Sequence, residues 1–133
     1  MFKRMAFFVF CWLLAVIYFS TPPVQAMGRR HKTFQINLKV DFGPAGKPAF
    51  KDPQFWVEEG TTAKEVVSQV FPVLSGRSCC SLREVIEIGG VKVDPLKNRW
   101  WVCELNGSRK FSPQKKKLKS GDRLEWKYIQ NRQ

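Results

Sequence analysis

The chain has 133 residues, with 23 Lys and Arg against 11 Asp and Glu, which gives a formal net charge of +12. This length supports one small domain with a modest hydrophobic core and excludes a second domain of ordinary size. The excess positive charge favours anionic partners but also serves solubility, so charge alone identifies no function. The sequence contains no phosphate-binding loop, nucleophile elbow or metalloprotease helix motif, and we therefore expect no enzyme and no metal site.

Residues 1–26 have the pattern of a cleaved secretory signal peptide. Lys3 and Arg4 precede an uncharged apolar run from Met5 to Phe19, and small residues at the −3 and −1 positions predict cleavage after Ala26. The run is shorter than the roughly 20 residues that span a bilayer core, so we expect no transmembrane span in the mature chain. Retention as an uncleaved anchor is the competing interpretation. The sequence thus predicts an extracytoplasmic protein, either periplasmic or secreted.

Residues 27–33 are polar and basic, and we interpret them as a leader before a domain at 34–130. His31, the single histidine, has no acidic or cysteine neighbour at ligand spacing, which predicts a solvated side chain rather than a metal ligand. Removal of Lys3 and Arg4 with the signal peptide lowers the formal charge from +12 to +10.

The first two predicted elements of the domain are strands. From Phe34 to Phe42, apolar and polar residues alternate without a break, which is the period of a half-buried strand. Residues 43–48 combine Gly and Pro and predict a loop. Phe55 and Val57 indicate a second strand, with Trp56 on its opposite face.

A single helix is predicted next. Thr62 and Glu65 have the spacing of a capping box, in which each residue satisfies a free backbone N–H of the other. An apolar stripe follows, suited to covering one face of a sheet, and Pro72 ends the helix. The stripe consists of Val66, Val67, Val70 and Phe71.

Short strands and turns are predicted in the middle of the chain. Ser75 to Ser81 is predicted to be a loop. Val85 to Ile88 predicts a third strand, Gly89-Gly90 a tight turn, and Val91 to Val93 a short return strand.

A hairpin is predicted around Asn106-Gly107. Both central positions of a type I′ turn need a positive φ, which Asn and Gly tolerate best. A two-residue loop there places Glu104 opposite Arg109 and Val102 opposite Phe111, which is one favourable ion pair and one apolar pair.

A final strand is predicted where Leu124, Trp126 and Tyr128 alternate with charged residues. The order of hairpin, helix and further strands predicts a small α+β domain of the β-grasp type, with a mixed sheet and one main helix.

The segment from Arg99 to Tyr128 resembles a known family. Paired aromatic residues before Asn-Gly, followed by Gly-Asp and an alternating aromatic strand, are typical of the transcobalamin-like C-terminal domain, a β-grasp module of secreted bacterial proteins. Gly60-Thr61-Thr62 before the helix is similar to an earlier step of the family, so the resemblance covers Phe34 to Ile129. The matching residues are Trp100, Trp101, Asn106, Gly107, Leu118, Gly121, Asp122, Trp126 and Tyr128.

Three cysteines remain after removal of the signal peptide: Cys79, Cys80 and Cys103. Exported thiols tend to pair, which favours a disulfide from Cys79 or Cys80 to Cys103 that closes a loop of roughly 25 residues. Alternatively, Cys103 is a small buried core residue, because it alternates with Trp101 and Leu105. A vicinal Cys79–Cys80 disulfide with a thiol-based activity is a further alternative.

Two tryptophans are candidate ligand-binding residues. Trp100 shares its side of a strand with Glu104, and Trp56 lies opposite the apolar side of its own strand, so both rings could meet a flat partner. The alternative is that both cover the edges of a small core. Trp101 and Trp126 are predicted to lie in the core, because their neighbours on the same side are apolar.

A basic run close to the final strand is a candidate patch for anionic envelope polymers or a membrane surface, and the alternative is a solvated loop. Nucleic acid is not expected in an exported compartment. The candidate patch residues are Arg109, Lys110, Lys115, Lys116, Lys117 and Lys119.

We therefore expect an exported, non-catalytic binding module for a flat small molecule or for an envelope protein. The family resemblance implies a cobalamin-type ligand, held weakly, because the transporters that contain this module complete the site with a second, helical domain. A basic-patch binder and a thiol-active periplasmic protein are the alternatives. No resident cofactor is expected.

Overall fold

A computed structural model describes residues 31–76 and 84–131. This part of the chain forms a small α+β domain with mixed strand directions and one α-helix, as predicted. The predicted signal peptide and residues 27–30 of the predicted leader lie outside the described residues. The elements are β1 (Thr33–Asp41), β2 (Phe50–Glu58), α1 (Ala63–Val70), β3 (Val73–Gly76), β4 (Glu84–Ile88), β5 (Val91–Lys92), β6 (Arg99–Leu105) and β7 (Arg123–Gln130).

The larger sheet has four strands in the order β2-β1-β7-β6. The central strands β1 and β7 run parallel, and each outer strand runs antiparallel to its neighbour. The first strand of the domain therefore lies beside its last strand in the centre of the sheet. A second sheet has the order β3-β4-β5, with both pairs antiparallel.

One face of the larger sheet forms the hydrophobic core. The alternation predicted for β1 and β7 is confirmed, because three alternate apolar residues in each strand are buried while the residues between them are more exposed. Helix α1 covers this inner face with Ala63, Val66 and Val67, all fully buried. The strand residues buried here are Ile36, Leu38, Val40, Val57, Cys103, Leu105, Leu124, Trp126 and Tyr128.

The predicted capping box begins α1. The Thr62 backbone N–H donates to Glu65 Oε2 at 2.7 Å, and the Glu65 N–H donates to Thr62 Oγ1 at 3.4 Å. The Thr62 hydroxyl also donates to Glu65 Oε2, at 2.9 Å, and the two bonds that this carboxylate accepts from Thr62 lower the pKa of Glu65. The helix ends at Val70, two residues before Pro72. The local sequence thus sets both ends of the helix.

The predicted loop at Ser75–Ser81 is wrong at its start. β3 continues through Ser75 and Gly76, which lie opposite Val85 and Glu84 of β4. Small residues with little strand propensity are extended there because β4 supplies backbone partners. Residues 77–81 of the predicted loop lie outside the described residues. The loop predicted at residues 43–48 begins with a single 3₁₀ turn at Gly43–Ala45.

The turn at Asn106-Gly107 is confirmed, but the hairpin is not. The two φ angles are 51° and 82°, as a type I′ turn requires, and Leu105 and Ser108 exchange two backbone hydrogen bonds of 2.9 Å. After Ser108 the chain does not continue as a strand beside β6. It turns again, and the Phe111 N–H donates to the carbonyl of Arg109 at 3.0 Å. β6 pairs with β7 instead, which places Val102 opposite Lys127 and not opposite Phe111.

Candidate ligand site beside β6

A cleft of about 810 Å³ lies along β6, one of the two edge strands of the larger sheet. We call it the β6 cleft. Its walls come from β6, from β4, from the segment after the Asn106-Gly107 turn, and from Trp126 of β7. The lining residues are Glu84, Val85, Ile86, Val93, Pro95, Trp100, Trp101, Val102, Cys103, Arg109, Phe111, Ser112, Pro113, Gln114 and Trp126.

The outer edge of β6 is paired at its two ends and open between them. Arg99 exchanges backbone hydrogen bonds of 2.9 and 3.0 Å with Asp94, and Leu105 does the same with Ser108. In an antiparallel strand alternate residues direct both backbone groups to the same side, so Trp101 and Cys103 also point away from β7. Among the described residues, these two have no backbone partner on that side.

Trp126 brings an unsatisfied donor to the same cleft. Its side chain is 2% exposed, and its indole N–H has no hydrogen-bond acceptor within the described part of the chain. A buried donor without an acceptor costs about 1–3 kcal/mol, so an acceptor supplied by a ligand would be favoured at this position.

The other two tryptophans of the cleft are held by hydrogen bonds. Trp101 donates its indole N–H to the carbonyl of Val91 at 2.8 Å and packs against Tyr128, with ring centroids 5.2 Å apart. It therefore belongs to the inner face, as predicted. Trp100 lies on the outer face, is 37% exposed, and donates its indole N–H to Asn98 Oδ1 at 2.9 Å. This bond fixes the orientation of an exposed aromatic ring at the rim of the cleft.

Trp56 and Trp100, the two predicted ligand-binding residues, do not form one site. They lie on the same face of the sheet but on its opposite edge strands, β2 and β6. Trp56 is opposite Gln35 at one end of the sheet, whereas Trp100 is opposite Ile129 at the other end. At about 3.3 Å per residue and 4.8 Å per strand, the two rings are separated by roughly 30 Å. The 61% exposed Trp56 is thus remote from the β6 cleft.

The outer face of the sheet carries a ladder of alternating charges, of which the sequence predicts only the Glu104–Arg109 ion pair. Lys39 contacts Glu125 at 3.1 Å, Glu125 contacts Lys127 at 3.0 Å, and Lys127 contacts Glu104 at 2.7 Å. Arg109 completes the ladder with a 2.8 Å contact to Glu104. The opposite charges of Glu125 and Lys127, two residues apart in β7, could have indicated an ion pair in the sequence. Only the strand order shows which residues of other strands they contact.

The ladder shifts the pKa values of its members in the expected directions. Hydrogen bonds from Lys127 and Arg109 lower the pKa of Glu104, and hydrogen bonds from Lys127 and Lys39 lower that of Glu125. The same carboxylates raise the pKa of Lys127. All of these charges therefore stabilise one another.

The candidate basic patch is divided by the structure. Arg109 belongs to the ladder, whereas five exposed lysines are not in an ion pair with any described residue. Their segment is held against the start of α1, where the Lys64 N–H donates to the Pro113 carbonyl and the Leu118 N–H donates to the Thr61 carbonyl, both at 3.0 Å. The five are Lys110, Lys115, Lys116, Lys117 and Lys119.

The Cys103 thiol is buried in the wall of the cleft, and burial raises its pKa, which disfavours the reactive thiolate. No disulfide is formed between described residues. Cys79 and Cys80 lie outside the described residues, so the cross-link to Cys103 and the vicinal pair both stay predictions.

His31 is exposed, and its Nδ1 lies 3.9 Å from Glu58 Oε2. Within residues 31–76 and 84–131, no group of His, Cys, Asp and Glu is placed to hold a metal ion. In the same ranges no helix is long and apolar enough to cross a membrane.

Solved structures show a related fold. A structure of haptocorrin in complex with Cbi matches 75% of this chain with a TM-score of 0.60 and 12% identity, and this chain spans only 26% of that haptocorrin chain. A protein from Ruminococcus gnavus ATCC 29149, described as a "putative metal binding protein", matches 74% of this chain and 99% of its own length, with a TM-score of 0.54 and 17% identity. No family model and no curated protein matches the chain. At these identities the likeness is one of fold.

Proposed function

We propose that this chain is an exported, non-catalytic binding module of the transcobalamin-like kind, whose ligand lies in the β6 cleft against Trp100. The observation that carries the proposal is the cleft itself, which has an aromatic rim and a buried indole N–H that finds no acceptor among the described residues. Its size is in the range of small-molecule sites. The fold shared with part of haptocorrin supports a corrinoid as the ligand to test first.

The chemistry of the lining favours binding over catalysis. Burial raises the pKa of the Cys103 thiol, which disfavours a nucleophilic thiolate, and the Arg109 guanidinium forms an ion pair with Glu104. Trp100 instead offers a fixed, partly exposed ring next to the apolar side chain of Val102. A rigid aromatic surface of this kind suits a flat ligand, because little side-chain entropy is lost when it binds.

The test is a titration of the mature chain with cobinamide, followed by tryptophan fluorescence and calorimetry. We expect saturable binding by the wild type and a loss of affinity of about tenfold, or 1.4 kcal/mol, in Trp100→Ala. Trp56→Ala is the matched control, because Trp56 lies on the same face of the sheet but at the opposite corner. A wild-type protein that does not respond to cobinamide, or equal losses in the two variants, would contradict the proposal.

A second candidate function is supported by the five exposed lysines of the candidate basic patch, none of which is in an ion pair with a described residue. Exposed positive side chains attract anionic polymers, and salt weakens that attraction strongly. We expect wild type to elute from heparin at higher salt than a variant with Lys115, Lys116 and Lys117 changed to Gln. The matched control changes three lysines outside the patch to Gln and therefore lowers the net charge equally. These are Lys32, Lys51 and Lys92. Identical elution of the two triple variants would assign the retention to net charge alone.

A further inference from the structure

The open edge of β6 has the hydrogen-bonding pattern of an unoccupied strand position. Trp101 and Cys103 each direct one N–H and one C=O into the β6 cleft, and these four groups lack partners among the described residues. Donors and acceptors therefore alternate along this edge. An extended peptide backbone has the complementary alternation, which is the basis of recognition by strand addition.

Trp126 provides a second and independent observation. Its indole N–H is buried, has no acceptor in the described part of the chain, and lines the same cleft. Trp126 lies opposite Cys103 in the β6–β7 register, so its side chain is adjacent to the open edge on the inner face. A strand added at Cys103 would bring oxygen atoms close to this donor.

We propose that the β6 cleft binds an extended peptide, which adds a short strand beside Trp101 and Cys103 and gives the Trp126 indole N–H an oxygen acceptor. The proposal rests on the proposed function only in treating the β6 cleft as a ligand site. It adds the class of partner, a polypeptide segment read through its backbone. Val85, Ile86 and Phe111 also line the cleft, which favours a peptide with alternating apolar side chains.

The two closed ends of β6 exclude another copy of this chain as the occupant through its own β6. Asp94 and Ser108 occupy the neighbouring strand position at Arg99 and Leu105, six residues apart, which is about 20 Å at 3.3 Å per residue. A second β6 carries the same two attachments, and its strand would run through both of those positions. A linear peptide of about five residues fits between them and can leave the cleft at either end.

The experiment uses ¹⁵N-labelled mature chain and an acetylated, amidated pentapeptide of alternating threonine and valine. Threonine and valine favour the extended conformation, and the threonine hydroxyl can accept from Trp126. We expect hydrogen exchange at the Trp101 and Cys103 amides to slow at least tenfold at saturating peptide. The amides of Trp100 and Val102, which already face β7, should change little.

Two matched controls separate backbone recognition from general adhesion to an apolar surface. The same peptide with N-methyl groups on the residues that face β6 keeps its side chains but loses its donors, and it should protect neither amide. Trp126→Phe removes only the indole N–H and part of the ring. It should lower the affinity for the unmethylated peptide by about tenfold. The β7 amide signals show whether this variant keeps its fold.

Each result decides the proposal. Equal binding of the methylated peptide, or no protection by either peptide, would overturn it. Full protection of Trp101 and Cys103 in the free protein would also overturn it, because the edge would then be paired within the chain. A cobinamide titration of the same sample separates the two proposals: cobinamide binding without peptide protection refutes only the peptide inference, and the reverse refutes only the corrinoid ligand.

Discussion

Tryptophan residues in this domain have very different environments although all lie on strands. Trp126 is 2% exposed in the core, whereas Trp56 is 61% exposed on the outer face of the sheet. The difference comes from the alternation of side chains along a strand. Trp126 shares the inner face of the sheet with its cross-strand neighbour Val40, and Trp56 shares the outer face with its neighbour Gln35. Their contributions to stability should differ accordingly.

We expect Trp126→Ala to lower the free energy of unfolding by about 3–5 kcal/mol, because it leaves a large cavity beneath the sheet. Trp56→Ala should change it by no more than about 0.5 kcal/mol, as is usual for exposed positions. Urea denaturation of the two variants and wild type tests this. Equal destabilisation by both would show that Trp56 is covered in the native protein.

Alanine substitutions at Gly43 and Gly46 distinguish the cost of a left-handed backbone from the cost of a steric overlap. Both have positive φ angles, 41° and 74°. A Cβ atom at Gly46 meets no neighbour, whereas one at Gly43 overlaps the carbonyl oxygen of Tyr128. Gly46→Ala should therefore cost about 1–2 kcal/mol through the left-handed conformation alone. Gly43→Ala should cost about 1–3 kcal/mol more, because the turn must move away from β7. Chemical denaturation measures both, and equal costs would argue against a close contact at Tyr128.

At the level of elements, the charge ladder connects β1, β7 and β6 on the solvent side of the sheet. It runs from Lys39 through Glu125, Lys127 and Glu104 to Arg109. Each pair near the surface contributes about 1 kcal/mol or less, but shared charges lose less side-chain entropy than isolated pairs. The backbone hydrogen bonds determine how these strands pair, and the ladder adds contacts between their side chains on the solvent side.

The ladder predicts a specific pH dependence of stability. The pKa values of Glu104 and Glu125 are lowered by folding, so their contribution is present above the unfolded value near 4.5 and is lost as the pH falls through the folded values. The pKa of Lys127 is raised, so its contribution is lost only as the pH rises above its ordinary value of 10.5. The ladder should therefore stabilise the protein across the neutral range.

We expect Glu104→Gln to lower the melting temperature at pH 7 and to flatten its decrease between about pH 5 and 2, because one acid-sensitive contribution is absent. High salt should reduce the difference from wild type. Glu59→Gln is the matched control, since Glu59 is exposed and in no ion pair with a described residue. Parallel pH curves for Glu104→Gln and wild type would refute a stabilising ladder.

For the whole molecule, the predicted signal peptide leads us to expect that the domain works outside the cytoplasm. Mass spectrometry of exported material should show a chain that begins at Met27, because cleavage is expected after Ala26. Residual intact chain in a membrane fraction, beginning at Met1, would favour the anchored alternative.

The predicted export has a consequence for the expected state of the cysteines. In an oxidising compartment, non-reducing peptide mapping should find Cys103 linked to the peptide that contains Cys79 and Cys80, with one thiol left over. Reduction of that disulfide should then lower the free energy of unfolding by about 3 kcal/mol, which is the loop-closure entropy of a loop of this length. Three free thiols would leave Cys103 as a buried core residue, and a Cys79–Cys80 pair would favour the thiol-active alternative.

Much of the fold could be predicted from the sequence because the signals are local. The period of two in β1 and β7 predicts which side chains face the core, and Thr62 with Glu65 predicts the start of α1. The positive φ angles of Asn106 and Gly107 follow from the residue types alone. Such features depend on neighbours within a few positions, so they do not require knowledge of which strands meet.

The partner of each strand was decided only by the tertiary structure. The Asn106-Gly107 turn favours a hairpin with the residues that follow, yet β6 pairs with β7, whose apolar residues Leu124 and Trp126 match Leu105 and Cys103 across the sheet. That choice leaves the middle of the outer edge of β6 without a backbone partner among the described residues. It also joins the charges of three strands into a ladder and puts Trp56 and Trp100 at opposite corners of the sheet. Local periodicity determines the face on which a residue lies, but strand order and register, which depend on distant segments packing together, determine which residues share a site.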